Sequence, residues 1–386
     1  MRIANHPFWL VGFRPFFTLA CLAGLSLPAL WALMFNGMIA LPTMTISPVQ
    51  WHAHEMFFGF GWAVLGGFLL TSTKNWVNIR GYHGWPLVLL VAAWLVERLG
   101  MWFQGDLPRL VFLVSNHIFL VSIVAMLLHT LIRHRATDSY RDNVLFLIVL
   151  PAFLVAKNLM LSHEHFQIGW TATLGLFRMA FLIMLERTLT QFMKGGFQVS
   201  LIRWPLLDNS IKLLALALVA LSAGPPTVSV VPAILLASLL TIRLALWKPL
   251  TALRRIDIGI MVIGYVAIVA QLVLDILAAI APAAWIGTVS VHIFTFGVMG
   301  LIIPAMLIRI CRGHTGRKVV FDRQDKLVLW IMLAAFGLRI VAPQLFPNAY
   351  GVWIGLAAAG WSASFLLLAS RYIPMLIAPR TDGKEH

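Results

Sequence analysis

Long apolar runs recur along the whole chain and leave few folds open to it. A helix needs about 20 apolar residues to cross a bilayer, and runs of that length, joined by short connections, predict twelve membrane-spanning helices. The predicted spans are residues 15–37, 51–73, 84–103, 109–132, 143–163, 167–190, 209–224, 228–246, 258–281, 286–310, 327–343 and 352–373. Because no connection is long enough to hold a soluble domain, we expect residues 1–386 to form a single, all-α integral membrane domain.

The composition also indicates a membrane protein, a class in which an excess of Lys and Arg is expected. Of the 386 residues, 60% are hydrophobic and 11% are charged, whereas a soluble domain carries about 25% charged residues. The formal net charge of +15 would suit a nucleic-acid partner, but Lys and Arg also collect in the cytoplasmic loops of membrane proteins. The expected partner is therefore the lipid bilayer, and no nucleic-acid partner is expected.

The positions of the basic residues predict the orientation. With both termini in the cytoplasm, most of the 29 Lys and Arg residues lie in the termini, in the even-numbered connections or at the adjoining helix ends. This is the distribution that the positive-inside rule requires. The exceptions are Arg98, Arg109, Lys157, Arg178 and Arg339. The sequence therefore predicts two cytoplasmic termini and assigns each helix end to a face.

In this orientation, polar residues inside the predicted spans gather toward the outer face. They are His52, His54 and Glu55 in the second span, Glu97 and Arg98 in the third, Asn116 and His117 in the fourth, Asn158, His163, Glu164 and His165 in or just after the fifth, Asp275 in the ninth and His292 in the tenth. Ionisable residues are costly inside a membrane and are usually functional. Since imidazole is a common ligand of transition metals and haem, the layer predicts a metal or haem site.

Several of these histidines have simpler explanations. His52 and His54 lie two residues apart, about 200° around a helix, so one of them is equally well explained as an interfacial side chain that reaches toward water. His163 and His165 have the same spacing. His117 is more simply a hydrogen-bonded packing residue in its span.

His292 is the strongest candidate ligand. It is expected about two turns inside the tenth span, in an apolar run where water cannot satisfy its ring, and Met299 follows two turns later on the same face. Arg178 lies in the middle of the sixth span. We expect it to pair either with a haem propionate or with a buried acid such as Asp275.

Two other polar stretches are weaker signals. Glu97 and Arg98 are adjacent and are as well explained by mutual neutralisation as by a functional role. Arg312–Arg317 is a basic, Gly-containing turn after the tenth span, and taken alone it is best explained as a helix end with cations at the negative pole of the dipole. It does not match a phosphate-binding loop, which requires Gly-Lys-Ser/Thr after a strand.

A set of motifs extends over nearly the whole chain. It comprises Phe13–Phe17 before the first span, Trp51–Met56, Gly67–Thr71 and Asn75–Trp76 in the second, Gly84–Pro86 at the start of the third, His292–Gly300 in the tenth, and then Arg309 and Gly313–Arg317. In its order and spacing, this set resembles the NnrS family.

The resemblance implies a twelve-span protein of the bacterial cytoplasmic (inner) membrane that contains haem, of b type, and copper. It also implies a link to nitric oxide, through denitrification or protection against nitrosative stress. The family's histidines correspond to His52, His54, His163, His292 and His314. Of these, His52, His54, His163 and His292 are expected to bind metal and cofactor. His314 is expected to bind or anchor haem at a site apart from the outer histidines. Arg178 is also expected to bind the cofactor. The residues expected to support these ligands are Glu55, Asn158, Glu164 and Met299.

The sequence departs from the family pattern at two places. Glu186–Phe192 stands where a Gly-Arg-x-Ile-Pro-x-Phe-Thr type of segment is more usual, and Ile258–Tyr265 lacks a histidine that is common there.

Three functions are compatible with these features. The first is a haem–copper oxidoreductase that binds or reduces nitric oxide, with a quinol or a cytochrome as electron donor and an architecture resembling that of haem–copper oxidases. The second is a transporter or metal-handling permease, which Pro304 within the tenth span and the charge of Arg178 would suit. The third is a haem-based sensor or assembly factor without turnover.

Overall fold

The computed structural model describes residues 3–40, 42 and 44–384. Within these residues the protein is all-helical, without strands, and twelve helices are long and apolar enough to cross a membrane. They are α1 (Phe13–Phe35), α2 (Pro48–Trp76), α3 (Trp85–Trp102), α4 (Arg109–Arg133), α5 (Arg141–Leu161), α6 (Phe166–Phe197), α7 (Pro205–Ala223), α8 (Pro226–Leu246), α9 (Ile256–Ile280), α10 (Val289–His314), α11 (Arg323–Leu345) and α12 (Pro347–Ile377). The predicted all-α, twelve-span fold is confirmed.

Three boundaries differ from the prediction in ways that affect the candidate residues. Helix α10 begins at Val289 and not at residue 286, because the preceding segment is a turn in which Gly287 has a φ of +27°. Helix α5 ends at Leu161, so His163 lies in the following turn. Helix α6 continues past residue 190 to Phe197, since its polar final turns lower the hydropathy without interrupting the helix.

The chain forms two compact units. Unit 1 consists of Met1–Gly169, Leu307–Val320 and Ser362–His386, and unit 2 consists of Trp170–Met306 and Phe321–Trp361. Within unit 1, α1 packs on α2, α3 packs on α4, and α5 packs on both α2 and α4. Within unit 2, α9 packs on α8, α10 and α11, and α7 packs on α8.

Small residues permit the close packing in both units. In unit 1, a Cβ added at Gly67 would lie 2.8 Å from Phe16 Cβ. In unit 2, a Cβ added at Gly264 would lie 2.6 Å from Ile302. Because lipid offers no hydrophobic driving force between helices, such approaches of small residues are a main source of association in membranes.

Two spans contain a π-helical segment. Helix α2 is α-helical over Pro48–His54, π-helical over Glu55–Gly61 and α-helical again from Trp62. Helix α10 changes to a π-helix over Thr295–Gly300. In α2 the Trp62 N–H donates to the Phe57 carbonyl, five residues back, as a π-helix requires. Both segments follow a candidate histidine, and such segments occur frequently at functional sites.

The spans differ in how much of their surface the protein encloses. The apolar windows of α2, α6 and α10 are 72%, 78% and 78% buried, and no other span exceeds 56%. Side chains of these three spans therefore face mostly protein. Of the two candidate histidines in these spans, His54 is fully buried and His292 is half-buried.

Candidate functional site

The predicted histidine layer is divided between the two units. His52, His54 and His163 lie in unit 1, and His292 lies in unit 2. His314 lies in unit 1, at the C-terminal end of α10. The histidines of each set contact residues of their own unit.

His54 is fully buried and contacts polar groups through both ring nitrogens. Its Nδ1 lies 3.1 Å from Glu55 Oε1. Its Nε2 lies 3.4 Å from Asn116 Nδ2 and 3.7 Å from Glu97 Oε1. Residues of α2, α3 and α4 thus surround the imidazole. This arrangement is that of a hydrogen-bonded network member and not of a ligand with a nitrogen directed at a metal.

Two carboxylates and two cations complete this network. Glu97 accepts from Lys157 Nζ at 2.6 Å and from Arg98 Nη2 at 2.5 Å, and Lys157 also donates to the Asn116 carbonyl. Arg98 Nη1 lies 3.2 Å from Glu55 Oε2. We call Glu55, Glu97, Arg98 and Lys157 the first ionic cluster. Its charges balance, as buried ions require if the desolvation cost is to be offset.

The π-helical segment of α2 packs against this cluster. Lys157 Nζ lies 5.5 Å from the centre of the Phe58 ring. The Trp94 indole donates to the Gly59 carbonyl at 3.1 Å, and the Arg98 guanidinium lies 5.3 Å from the Trp94 ring. A Cβ on Gly59 would collide with Arg98 Nη1. A larger residue at this position would require the guanidinium to move from its place beside the two carboxylates.

The other histidines of the second and fifth spans have different partners. His52 stacks on Trp31 with the ring centres 4.3 Å apart and the planes at 14°. His163 is exposed, and its Nε2 lies 2.7 Å from the Thr45 carbonyl oxygen. Glu164 is exposed in the same turn. The three histidines of unit 1 predicted as metal ligands therefore contact three separate sets of groups.

His117 and Asn158 form a hydrogen-bonded pair between α4 and α5. His117 Nε2 lies 3.0 Å from Asn158 Oδ1, and His117 Nδ1 lies 2.9 Å from the Leu113 carbonyl oxygen. Both ring nitrogens of His117 are thus engaged. This is the arrangement expected of a hydrogen-bonded packing residue, the simpler explanation for His117.

His314 lies in unit 1 between the start of α1 and the segment that follows α12. Its ring centre is 5.4 Å from that of Phe13. Its carbonyl accepts from Arg380 Nη1 at 3.0 Å. These contacts bring the Phe13–Phe17 and Gly313–Arg317 motifs together.

In unit 2, Arg178 has protein partners. Its Nη2 donates to Gln271 Oε1 at 2.6 Å and lies 3.6 Å from Asp275 Oδ2. Asp275 also accepts from Ser290 Oγ at 2.5 Å and from the Gln271 amide. Arg178 therefore pairs with Asp275, the acid considered above, and this pairing weakens the argument for an unpaired charge on a transport path.

His292 lies in the first turn of α10 and not two turns inside the span. The predicted depth was wrong because the Gly287 turn delays the start of the helix. The ring of His292 has a hydrogen-bonding partner within the protein. Its Nδ1 lies 2.7 Å from the Thr288 carbonyl oxygen. This contact fixes the tautomer with the proton on Nδ1 and the lone pair on Nε2, as is usual for ligand histidines.

A cation and a phenol adjoin His292. Arg339 Nη2 lies 3.3 Å from each ring nitrogen and 3.4 Å from the Tyr350 hydroxyl. The hydroxyl is also 3.4 Å from Thr288 Oγ1. We call His292, Arg339, Tyr350 and Thr288 the His292 site. Met299 is buried in the π-helical segment that follows it.

The sequence contained a signal for site residues that the histidine pattern missed. Of the five cations that violate the positive-inside distribution, four form the buried polar contacts described above: Arg98, Lys157, Arg178 and Arg339. In the predicted orientation these cations lie on the unfavourable side of the membrane, where a cation needs a local partner, so the exceptions indicate polar sites.

A second ionic cluster occupies the divergent segment of α6. It consists of Glu186 and Asp208 with Arg203, Lys212 and Arg243. Lys212 Nζ lies 3.1 Å from Glu186 Oε2, and Arg203 Nη2 also donates to Glu186. Arg243 Nη1 lies 3.6 Å from Glu186 Oε2 and 3.5 Å from Asp208 Oδ1. The acid that departs from the family pattern is therefore the centre of an ion network within unit 2.

The donor groups decide which cofactor the protein can hold. In residues 3–40, 42 and 44–384, no group of three or more His, Cys, Asp or Glu side chains is placed to hold a metal ion. A haem needs less from the protein, because its porphyrin supplies the equatorial nitrogens and a single histidine can bind the iron. The His292 site fits that requirement, whereas the arrangement around His54 does not fit a metal-ion site.

The twelve apolar spans and the buried ionic clusters define a multi-pass integral membrane protein. A family model described as NnrS protein matches residues 7–380, so the chain belongs to the NnrS family. No match to a curated protein is found.

Proposed function

We propose that this membrane protein binds nitric oxide at a haem held by His292. Membership of the NnrS family indicates a protein related to nitric oxide. Nitric oxide is small and apolar, so it reaches a site among membrane helices without a channel for charged substrates. The finer part of the proposal, the haem and its ligand, depends on the geometry of the His292 site.

The observation that carries the proposal is the hydrogen bond between His292 Nδ1 and the Thr288 carbonyl, at 2.7 Å. It holds the imidazole in the tautomer in which Nε2 can bind iron. Arg339, which is 6% exposed, would pair with a haem propionate, since guanidinium groups bind carboxylates with two parallel hydrogen bonds. The distance from Arg339 Nη2 to His292 Nε2 is 3.3 Å, which is longer than the 2.7–2.9 Å of a strong charge-assisted hydrogen bond. The contact between the guanidinium and the ring is therefore weak.

The chemistry of such a site divides between the cofactor and the protein. When bound, the haem would supply the iron that takes nitric oxide as a ligand and the redox change that its reduction needs. The Thr288 carbonyl orients the imidazole. Arg339, whose guanidinium contacts the Tyr350 hydroxyl, places positive charge beside it. Reduction would take electrons from a quinol or a cytochrome.

Copper is a different case. His54 contacts Glu55 and Asn116 through its two ring nitrogens, and His52 and His163 have other partners. These residues do not fit a multi-histidine copper site, so we derive no step through copper. The copper implied by the resemblance stays a prediction.

The test is the absorption spectrum of the purified protein. We expect a Soret band and iron by elemental analysis in the unmodified protein from haem-replete cells. His292→Ala should remove or strongly shift the band while the protein still inserts in the membrane. His134→Ala and His117→Ala are matched controls, because His134 lies in the loop after α4 and His117 is hydrogen-bonded to Leu113 and Asn158.

Two outcomes would contradict the proposal. A colourless, iron-free preparation would favour a permease, and an unchanged spectrum in His292→Ala would reject this residue as the ligand. Consumption of nitric oxide by the reduced protein, measured anaerobically with an electrode, then separates a catalyst from a sensor that binds without turnover.

A further inference from the structure

Four cationic side chains gather in unit 1, away from the groups assigned above. They are Arg14 in the first turn of α1, Lys74 in the last turn of α2, Arg317 after α10 and Arg380 after α12. We call them the cationic cluster. They belong to four segments that are distant in sequence and share one compact unit.

Backbone hydrogen bonds hold these segments together. Arg14 Nη1 donates to the carbonyls of Leu376 and Ala378 at 2.8 and 2.7 Å. The Phe13 N–H donates to Thr71 Oγ1 at 3.0 Å, which ties the start of α1 to the end of α2. These contacts make the cluster a built feature and not a coincidence of flexible surface side chains.

The C-terminal segment is fixed against the turn after α10. Arg380 Nη1 donates to the His314 carbonyl at 3.0 Å, and the Thr381 N–H donates to the Thr315 carbonyl at 3.0 Å. Gly316, with a φ of +81°, lets this segment approach, because a Cβ there would lie 2.8 Å from Asp382 Cγ.

The charges of this cluster do not balance. The charges of Arg317 and Arg380 act on Arg14, and those of Arg380 and Arg80 act on Lys74. The carboxylate that these segments contribute among the described residues is Asp382, and its two oxygens are bonded to Arg380, at 2.9 Å to Nε and 2.5 Å to Nη2. Among the described residues, the four segments thus contribute one acid and four cations, and Arg80 adds positive charge near Lys74, in contrast to the neutral first ionic cluster.

Lys74 shows the imbalance most clearly. The residue is 8% exposed, and its ammonium forms no hydrogen bond or ion pair with any residue that the structure describes. The Lys74 nitrogen keeps a small solvent-accessible area, so an anion can reach it, and a cation with little access to water gains from such a counter-ion. The surroundings of Lys74 thus lack an anion.

We propose that the cationic cluster binds a phosphate-type oxyanion. Guanidinium groups bind tetrahedral oxyanions through paired hydrogen bonds, and an ammonium adds a compact point charge. The oxyanion is either the headgroup of an anionic phospholipid or a soluble phosphate, and the site goes beyond the proposed role in nitric oxide binding.

The experiment uses full-length protein purified in detergent. One arm titrates inorganic phosphate at constant ionic strength, with chloride as the reference anion, and follows thermal unfolding and calorimetric binding. The other arm measures retained anionic phospholipid by native mass spectrometry. Lys74→Gln and Arg380→Gln are compared with Arg133→Gln, which removes one exposed cation from unit 1. The visible spectrum is recorded for every variant.

Binding of phosphate that weakens about tenfold or more in Lys74→Gln supports the proposal with a soluble ligand. Phospholipid that is retained by the unmodified protein and lost in Lys74→Gln and Arg380→Gln supports it with a lipid ligand. Absence of both ligands, or equal binding in all variants, would overturn it. Loss of the haem spectrum in Lys74→Gln would also overturn it, because the anion would then be the haem itself. Failure of the His292 proposal leaves all these readouts interpretable.

Discussion

His54 and His292 lie near the starts of two highly enclosed spans, each shortly before a π-helical segment, yet their surroundings are opposite. His54 contacts Glu55 and Asn116 through its two nitrogens and lies beside a neutral set of four ions. His292 is backed by a carbonyl and faced by the cation Arg339. The first environment contains two carboxylates and two cations, whereas in the second a cation lies beside the ring.

The comparison shows that a histidine in a span is not a ligand by virtue of its position. Both ring nitrogens of each histidine lie near protein groups. What differs is that His54 adjoins carboxylates, whereas His292 adjoins a cation at 3.3 Å. We interpret the first ionic cluster as a structural network, whereas the His292 site is the one that we propose for ligand binding. The following variants test this distinction, from the largest expected effect to the smallest.

Lys157→Met should have the largest effect on stability. It leaves the first ionic cluster with one excess negative charge in a fully buried position, and removal of one partner from a buried pair costs about 3–5 kcal/mol. The measurement is thermal unfolding in detergent followed by tryptophan fluorescence. The double variant Glu97→Gln with Lys157→Met restores neutrality through Arg98 and Glu55, so most of the loss should be recovered. A single variant that costs less than about 1 kcal/mol would show that water reaches the cluster.

Gly59→Ala should destabilise the protein by about 1–3 kcal/mol, the usual cost of overpacking. The added methyl group would collide with Arg98 Nη1 and displace the guanidinium from its carboxylates. The control is Gly337→Ala, where nothing lies within 4 Å of the new Cβ. Thermal unfolding of the two variants gives the comparison, and equal effects would mean that Arg98 can move away without cost.

Tyr350→Phe tests the His292 site with a smaller change. It removes a hydroxyl that lies 3.4 Å from Arg339 Nη2 and from Thr288 Oγ1. Loss of such a hydrogen bond costs about 0.5–1.5 kcal/mol. We expect a small fall in the unfolding temperature together with a shift in the haem reduction potential, measured by a redox titration. A stability change without a shift in potential would place Tyr350 outside the cofactor's surroundings.

Acidification should have the smallest effect, at the C-terminal segment. Hydrogen bonds from Arg380 hold the pKa of the exposed Asp382 carboxyl well below its usual range. A lowered pKa in the folded state means that the contact stabilises above the ordinary Asp value of about 3.9 and is lost as the pH falls below it. Protease sensitivity of the segment should therefore stay constant from neutral pH down to about pH 5. Asp382→Asn should raise that sensitivity at every pH, and a pH-dependent change in this variant would point to another group.

Hydropathy was sufficient to predict the twelve spans, because a membrane helix must be apolar over its whole length. The partners of individual residues required the folded chain. Glu97, Lys157 and His54 come from three spans, and nothing in the local sequence records which faces meet. The start of α10 depended on the backbone of Gly287, so the depth of His292 was misjudged by about a turn. The exceptional cations were visible in the sequence, but their meaning became clear only when each was found beside its partner.

The two π-helical segments have a practical consequence for mutagenesis of this family. Each π-helical segment accommodates one extra residue. The side chains beyond Gly61 and beyond Gly300 therefore lie at different angles around the helix axis from those in an uninterrupted α-helix. The prediction that Met299 lies on the same face as His292 assumed a regular α-helix between the two residues. Deleting a single residue from either segment would restore regular winding, and it would rotate the remainder of the span by about 100° relative to its neighbours.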